Sequence, residues 1–268
     1  MQGGNQLRKI FIDPGHGGHD PGAVANGMRE ADIVLEIGLY LNEILKASGL
    51  DTRMSRESNI SPQQRWQIAN QWGADMLVSI HVNAGSGTGV ETLIPTASPN
   101  NPRRDLASNR RLAEQMSFDI GQRFGMRLRR ANGVMLETET RHPFVGVLRN
   151  SNMLAVLPEI AFIDSPPQNP DVNVLRNMRR EVAETLAGTI LSWYNIPMRT
   201  ALQPTPEHPF IDVPRDHWST ESLRELHTRG IINGSAPGIL GGFGQPMPTE
   251  RVAAMMWNMI RYLEGKRE

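Results

Sequence analysis

The chain is predicted to fold as an α/β domain, with a central mostly parallel or mixed sheet and helices on both faces, followed by a small helical C-terminal module. Three observations predict this. Apolar runs of strand length alternate with amphipathic stretches of helical period as far as residue 196, the pattern of a sheet covered on both sides. Pro197, Pro204, Pro206, Pro209 and Pro214 then follow among polar residues, a density that breaks regular structure and favours a stiff connection. Beyond them the chain holds only two short amphipathic stretches, too little to bury a sizeable core alone. The expected divisions are a domain over 1–196, a proline-rich linker over 197–209 and a module over 210–268.

Lys9 to Asp13 reads as the first strand, and from Asp32 the residues Ile33, Ile37, Leu41, Ile44 and Leu45 recur at helical spacing until Gly49 supplies a stop. Ser61 and Pro62 pair a helix cap with a proline at the first helical position. That helix carries Trp66, Ala69 and Trp72 as its buried stripe and ends at Gly73. Met76 to Val82 is apolar enough for a fully buried strand, and Gly89 to Ile94 is a further strand. Leu106, Leu112, Ala113, Met116, Ile120 and Phe124 mark a long helix closed by Gly125. Val145 to Leu148 and Ala155 to Ile163 are expected as late strands, and Pro158 inside the second implies an edge position or a bulge. Asn169 and Pro170 open a final helix with Val174, Met178, Val182, Leu186 and Ile190 on its apolar face. In the C-terminal module the short helices are led by Ser219 and by Thr249.

Composition narrows the function. The 28 basic and 28 acidic residues cancel, so no overall field draws the chain to nucleic acid or to an anionic membrane. Cysteine is absent, which excludes disulfides, thiolate metal sites and cysteine nucleophiles and leaves His, Asp and Glu as metal ligands. The chain has no run of about 18 apolar residues and no apolar signal core ahead of Ile10.

Chemistry concentrates at strand ends. The first strand runs into Asp13-Pro14-Gly15-His16-Gly17-Gly18-His19-Asp20, a sharp turn that presents His16 at the carboxyl edge where open α/β sheets build their sites. Glu30 stands at the start of the first helix, where a carboxylate suits the helix dipole. His81 lies within Leu77-Val78-Ser79-Ile80-His81-Val82-Asn83, and an imidazole in a buried strand must find a hydrogen-bond partner or a metal. Two His and one Glu make the donor set of a catalytic zinc site with an open position. Read from spacing alone, Glu30 is equally a plain helix-end carboxylate and His81 a hydrogen-bonded core residue.

Taken in order, the Asp13 to Gly18 turn, Glu30, Ser79-Ile80-His81-Val82-Asn83-Ala84, Gly89-Val90-Glu91 and Leu157-Pro158-Glu159-Ile160-Ala161-Phe162-Ile163 resemble the zinc-dependent N-acetylmuramoyl-L-alanine amidases of the cell-wall hydrolase type. The likeness runs over roughly residues 8 to 195 and rests on five motifs in one order. It implies one catalytic Zn²⁺ held by His16, Glu30 and His81, with Glu159 as the catalytic carboxylate. It further implies cleavage of the amide between N-acetylmuramic acid and L-alanine in peptidoglycan. An amide is a poor electrophile and water a poor nucleophile, and a metal with a neighbouring general base addresses both. Glu159 follows Leu157 and Pro158, so lost solvation is expected to raise its pKa. Ala161 and Asp164 stand where the family more often carries Gly and Asn, and neither is a ligand.

Further candidates surround this set. Asn83 and Glu91 could orient ligands or contact sugar, Arg149 could bind the peptide or form a surface ion pair, and His142 could stabilise an oxyanion or simply occupy an exposed loop. Arg103, Arg104, Arg110, Arg111, Arg123, Arg127, Arg129 and Arg130 could face anionic wall polymer or form the solvated side of a helix. The stretch from Phe210 through Asp212, His217, Trp218, Gly230, Gly234 and Phe243 resembles one S-layer homology repeat, which implies binding of a secondary cell-wall polymer. Action at the bacterial wall is then expected, by a phage-released endolysin or by a secreted autolysin whose leader is missing. Two other readings stay open: a non-catalytic wall-binding protein on an amidase scaffold, and a zinc peptidase.

Overall fold

The computed structural model describes residues 7–57, 62–97, 101, 104–140, 145–199 and 220–232. The chain separates into two compact units, Met1–Thr200 and Ala201–Glu268. The first unit contains β1 (Lys9–Pro14), β2 (Val24–Ala25), β3 (Met28–Arg29), α1 (Glu30–Ala47), β4 (Asp51–Met54), α2 (Pro62–Trp72), β5 (Met76–Asn83) and β6 (Glu91–Ile94). It continues with α3 (Leu106–Phe124), β7 (Val134–Leu136), α4 (Gly146–Arg149), β8 (Leu154–Phe162), α5 (Pro170–Asn177) and α6 (Arg179–Trp193).

Six strands form one sheet in the order β4-β1-β5-β8-β6-β7. Neighbours run parallel except β6 against β8, so the sheet is mixed and mostly parallel, as expected. Successive side chains of a strand point to opposite faces, and each face has its own cover. Phe11, Leu77, Ala155 and Leu157 pack with Ala69 of α2 and Leu148 of α4 in one cluster. On the other face α1, α3 and α6 are laid against the strands and one another, burying Ile33, Ile37, Leu41, Met116, Ile120, Leu186 and Ile190. The ends of the helices follow local chemistry. The Asp105 side chain accepts from the Ser108 N–H at 2.9 Å ahead of α3, and Gly125 closes that helix at φ 64°. The Asn169 side chain caps α5 with Pro170 at its start.

Several expectations are corrected. Val145 to Leu148 is not a strand but the short helix α4, where Leu148 and Arg149 donate to the Val145 carbonyl at 3.0 and 2.9 Å. Four apolar residues fit one buried helical turn as well as a strand, and periodicity cannot separate them. The final helix is two helices broken at Met178, whose φ of −126° leaves the helical region. Pro158 is not at an edge, because β8 is bonded to β5 on one side and to β6 on the other. A register shift does occur, between the His81–Glu159 and Asn83–Phe162 pairs, one step beyond the proline. The strands β4 and β7 and the β2–β3 hairpin went unread, since four residues or fewer carry too little pattern.

In the second unit, α7 (Thr220–Thr228) is followed by Gly230 at φ 69° and by buried Ile231 and Ile232. The expected linker beyond residue 199, the Ser219 cap and the helix led by Thr249 lie outside the described residues, as does the Ser61 cap. Among the described residues no helix is long and apolar enough to cross a membrane.

The chain beyond β8 is tied back by one buried carboxylate. Asp171 Oδ2 accepts from the N–H groups of Gly89 and Phe162, both at 2.8 Å. Gly89 has φ +97°, and a Cβ there would lie 2.3 Å from the Arg127 carbonyl oxygen. Asp171→Ala is therefore expected to lower stability by about 3 kcal/mol, from two lost charge-assisted bonds and two orphaned buried donors, read as a lower urea midpoint.

Candidate functional site

The site lies at the carboxyl ends of β1, β5 and β8, where the antiparallel β6 begins. His81 of β5 is paired with Glu159 of β8, and Glu159 with Glu91 of β6, so the three form one row across the sheet. By alternation this row shares a face with Phe11, Leu77 and Ala155, four residues lower on their strands. The same face is apolar core beneath α2 and α4 and turns polar at its end.

His16 is delivered by the turn after β1. Gly15 donates to the Ile80 carbonyl at 2.9 Å, and Gly17 and Asp20 exchange backbone bonds at 2.8 and 3.1 Å. His16 itself sits at φ 56°, a region that non-glycine residues occupy only when held there. The holder is a buried network. Arg65 of α2, 7% exposed, donates through Nη1 to Asp13 Oδ1 and to the Pro14 carbonyl, each at 3.1 Å, and through Nη2 to the His16 carbonyl at 2.5 Å. Asp13, 1% exposed, also accepts from Ser55 Oγ at 2.5 Å and Ser79 Oγ at 2.7 Å. Arg56 adds bonds to the carbonyls of Gly15 and Ala31 at 3.4 and 2.6 Å.

Three side chains converge above this network. His16 Nδ1 is bonded to Asp20 Oδ2 at 2.8 Å, which turns Nε2 toward Glu30 Oε1 at 3.1 Å. His81 Nδ1 lies 3.1 Å from the same oxygen. One ligand atom from each of His16, Glu30 and His81 falls within 4.8 Å of the others, a group that could hold a metal ion. Glu30, only 3% exposed, is the first residue of α1 and accepts from the N–H groups of Ala23 and Val82, both at 2.9 Å. Burial works to raise its pKa, but the bonds and charges of His16 and His81 outweigh it and hold the carboxyl well below the usual range. Burial likewise works to lower the His16 pKa, and Glu30 and Asp20 outweigh it, raising the imidazole to about 9.

The donor set and its surroundings fit a zinc ion. Two imidazoles and a carboxylate are the ligands of open catalytic zinc sites, and a carboxylate on the second ring nitrogen, as Asp20 is on His16, fixes the ligating tautomer. The cradle admits no extra side chain. A Cβ on Gly15 would lie 2.3 Å from the His81 ring, and one on Gly22 would lie 2.7 Å from Glu30 Oε2.

Glu159 is half-buried, and its Oε2 is buried without a hydrogen-bond partner. Desolvation, with repulsion from Glu30 and Glu91 set against attraction to His81 and His16, raises its pKa to about 7. Asn83 Nδ2 donates to Glu91 Oε1 at 2.8 Å, so those two candidates belong to the same wall. Arg149 lies in α4, and its carbonyl accepts from Arg104 Nη2 at 3.0 Å. His142 is outside the described residues. Unread in the sequence were Arg65, Arg56 and the hydroxyls on Asp13. One signal was available: Arg65 stands four residues before Ala69 on the stripe of α2 that faces the core, where a charge must be paired.

The fold agrees with comparison to known proteins. The profile of the N-acetylmuramoyl-L-alanine amidase family matches residues 10–192, and the chain belongs to that family. It is 39% identical over 163 residues to the sporulation-specific N-acetylmuramoyl-L-alanine amidase of Bacillus subtilis (strain 168), a match covering 59% of this chain and 57% of that relative's length. Among solved structures, the N-acetylmuramoyl-L-alanine amidase from Clostridium difficile 630 is 30% identical with a TM-score of 0.57, covering 70% of this chain and 97% of that one. The amidase AmiC2 of Nostoc punctiforme is 27% identical with a TM-score of 0.58 over 70% of this chain and 97% of that one.

Two outcomes follow. A zinc ligand must be a neutral imidazole, so the metal-free protein, with His16 protonated until the pH passes about 9, is expected to release about one His16 proton per zinc bound at pH 7.5. Calorimetry in buffers of different ionisation enthalpy reads this release, which fades above pH 9. Gly15→Ala is expected to displace the His81 ring and weaken zinc binding by about tenfold or more, read by competition with a chelating dye.

Proposed function

We propose that this chain hydrolyses peptidoglycan at the amide between N-acetylmuramic acid and L-alanine, with one Zn²⁺ held by His16, Glu30 and His81 and with Glu159 as general base. The observation that carries the reading is the meeting of that three-residue cluster with a carboxylate one strand away whose buried oxygen has no partner. Family membership supports the bond cut.

A zinc ion bound there supplies Lewis acidity toward an amide carbonyl and toward water. Glu159 provides the proton path. Its Oε2 takes a proton from the attacking water and returns it to the departing L-alanine nitrogen. A carboxyl raised to about 7 accepts and releases that proton near neutrality. Asp20 holds His16 in the tautomer whose Nε2 faces the cluster. A purely wall-binding scaffold gives no account of a carboxylate beside such a cluster with one oxygen buried and unpartnered, since that arrangement only destabilises the fold.

The residues after the linker at 197–209 are proposed as a wall-attachment module over 210–268, on the likeness of the Phe210 to Phe243 stretch to an S-layer homology repeat. Activity at the bacterial wall, with a secondary wall polymer as second partner, completes this reading.

Glu159→Gln is expected to lower the release of L-alanine amino termini from purified sacculi by at least about 100-fold while leaving zinc content at one per chain. Release of reducing sugar ends instead, or of cuts between two amino acids, would sink the proposal in favour of a glycosidase or a peptidase. The same variant gains stability. Glu159 has a folded pKa raised from 4.5 to about 7, so its ionised form opposes folding, a penalty that grows between those values and is full above them. Metal-free Glu159→Gln should melt higher than wild type by about 2–4 °C at pH 8, with no gain at pH 4. In the wild type kcat/KM falls on the acid side as Glu159 protonates, with a limb at or below about pH 7 because a bound cation favours the carboxylate.

A further inference from the structure

We propose that Arg129 and Arg130 form a carboxylate-binding subsite for the peptide stem of the substrate, with Glu91 as the post that aims both guanidinium groups. This rests on the amidase reading and adds to it the group that the enzyme recognises beside the scissile bond.

Glu91 draws both arginines, Arg129 by a hydrogen bond and Arg130 by charge. Arg129 Nε donates to Glu91 Oε1 at 2.8 Å, and Arg130 Nε lies 3.4 Å from Glu91 Oε2. The outer nitrogens of Arg129 make no hydrogen bond among the described residues, and its guanidinium lies over the Phe162 ring at 4.6 Å, which sets its plane. Arg130 Nη1 comes no nearer than 3.7 Å to Glu139 Oε1, an exposed carboxylate that is engaged through its other oxygen by the Leu136 N–H. The arginine side chains are 28% and 40% exposed, while Glu91 beneath them is buried. A guanidinium anchored by Nε offers its paired outer N–H groups as a fork that matches a carboxylate.

The backbone favours the same conclusion. Arg130 has φ 52° and ψ −170°, a conformation open to glycine and strained for any residue with a side chain. An arginine in that position brings its side chain back onto Glu91, and the strain is explained if the guanidinium is needed there. Glu91 is the cross-strand neighbour of Glu159, and neighbouring strands are about 4.8 Å apart. The carboxylate that carries both arginines therefore stands one strand spacing from the group that handles the proton. The free carboxylate nearest the cut on the L-alanine side of the stem peptide is the group such a fork would take. The post is paired with the base, so one strand pair sets the spacing between bond cut and carboxylate bound.

The test uses the zinc-loaded full chain and two synthetic muropeptides, identical except that the second residue carries either a free α-carboxylate or its carboxamide. The wild type is expected to favour the free acid by about tenfold in kcat/KM, mostly in KM. Arg129→Gln and Arg130→Gly should each reduce that ratio to about threefold or less. Arg130→Gly relaxes the backbone, so its Tm should stay within about 2 °C of wild type, which separates lost recognition from unfolding. Equal use of the two peptides by the wild type, or an unchanged ratio in both variants, would overturn the subsite and leave the amidase reading standing. If neither peptide nor sacculi yields L-alanine amino termini, the amidase reading fails and the subsite falls with it.

Discussion

The arrangement depends on one buried ion pair. Asp13 at the end of β1 and Arg65 of α2 are both almost wholly removed from water, and the serines at 55 and 79 complete the carboxylate's partners. Removing one half of such a pair is strongly destabilising, because a lone charge would remain in the interior. Here the pair also does something that apolar packing cannot. The same guanidinium binds the carbonyls of Pro14 and His16 and so holds the turn that carries His16 at its unfavourable φ. Strand, helix and turn are thereby joined at a single point beneath the cluster.

Above that point the sheet itself sorts the chemistry. Side chains alternate between faces, so residues that share a face and a row in three adjacent strands must meet. His81, Glu159 and Glu91 are such a row, and the apolar row beneath it keeps water from their base. Their close approach explains the opposing shifts of two carboxyls in one site: Glu30, bonded to both imidazoles and two backbone N–H groups, is held low, while Glu159, without a partner on Oε2, is pushed up. Environments that drive two acids apart in this way leave one ionised and the other ready to take a proton near neutrality.

Much of the fold was legible because strongly periodic segments declare themselves. The helix from Ile33 to Leu45 and the strand from Met76 lie where their patterns put them. Segments that failed were short. Val145 to Leu148 became helix α4, and the strands β4 and β7 were too brief to register. At the site, His16, Glu30, His81, Glu159, Asn83 and Glu91 were named from ordered motifs, and they are brought together. Arg129 and Arg130 were read as part of a general basic stretch, since nothing in their spacing tells which arginines converge on one acid and which, like Arg104, turn inward to bind carbonyl groups.

The sequence by itself determined the class of fold, the absence of thiol chemistry, and the residue types available for a metal and a base, because periodicity and composition are local properties of the chain. Only the tertiary structure decided that β8 lies inside the sheet, that Asp13 and Arg65 are partners across 52 residues, and that two imidazoles share one carboxylate oxygen. Those facts depend on strand order and register. Both are set by how distant segments bury one another's surfaces, a choice that no single segment records.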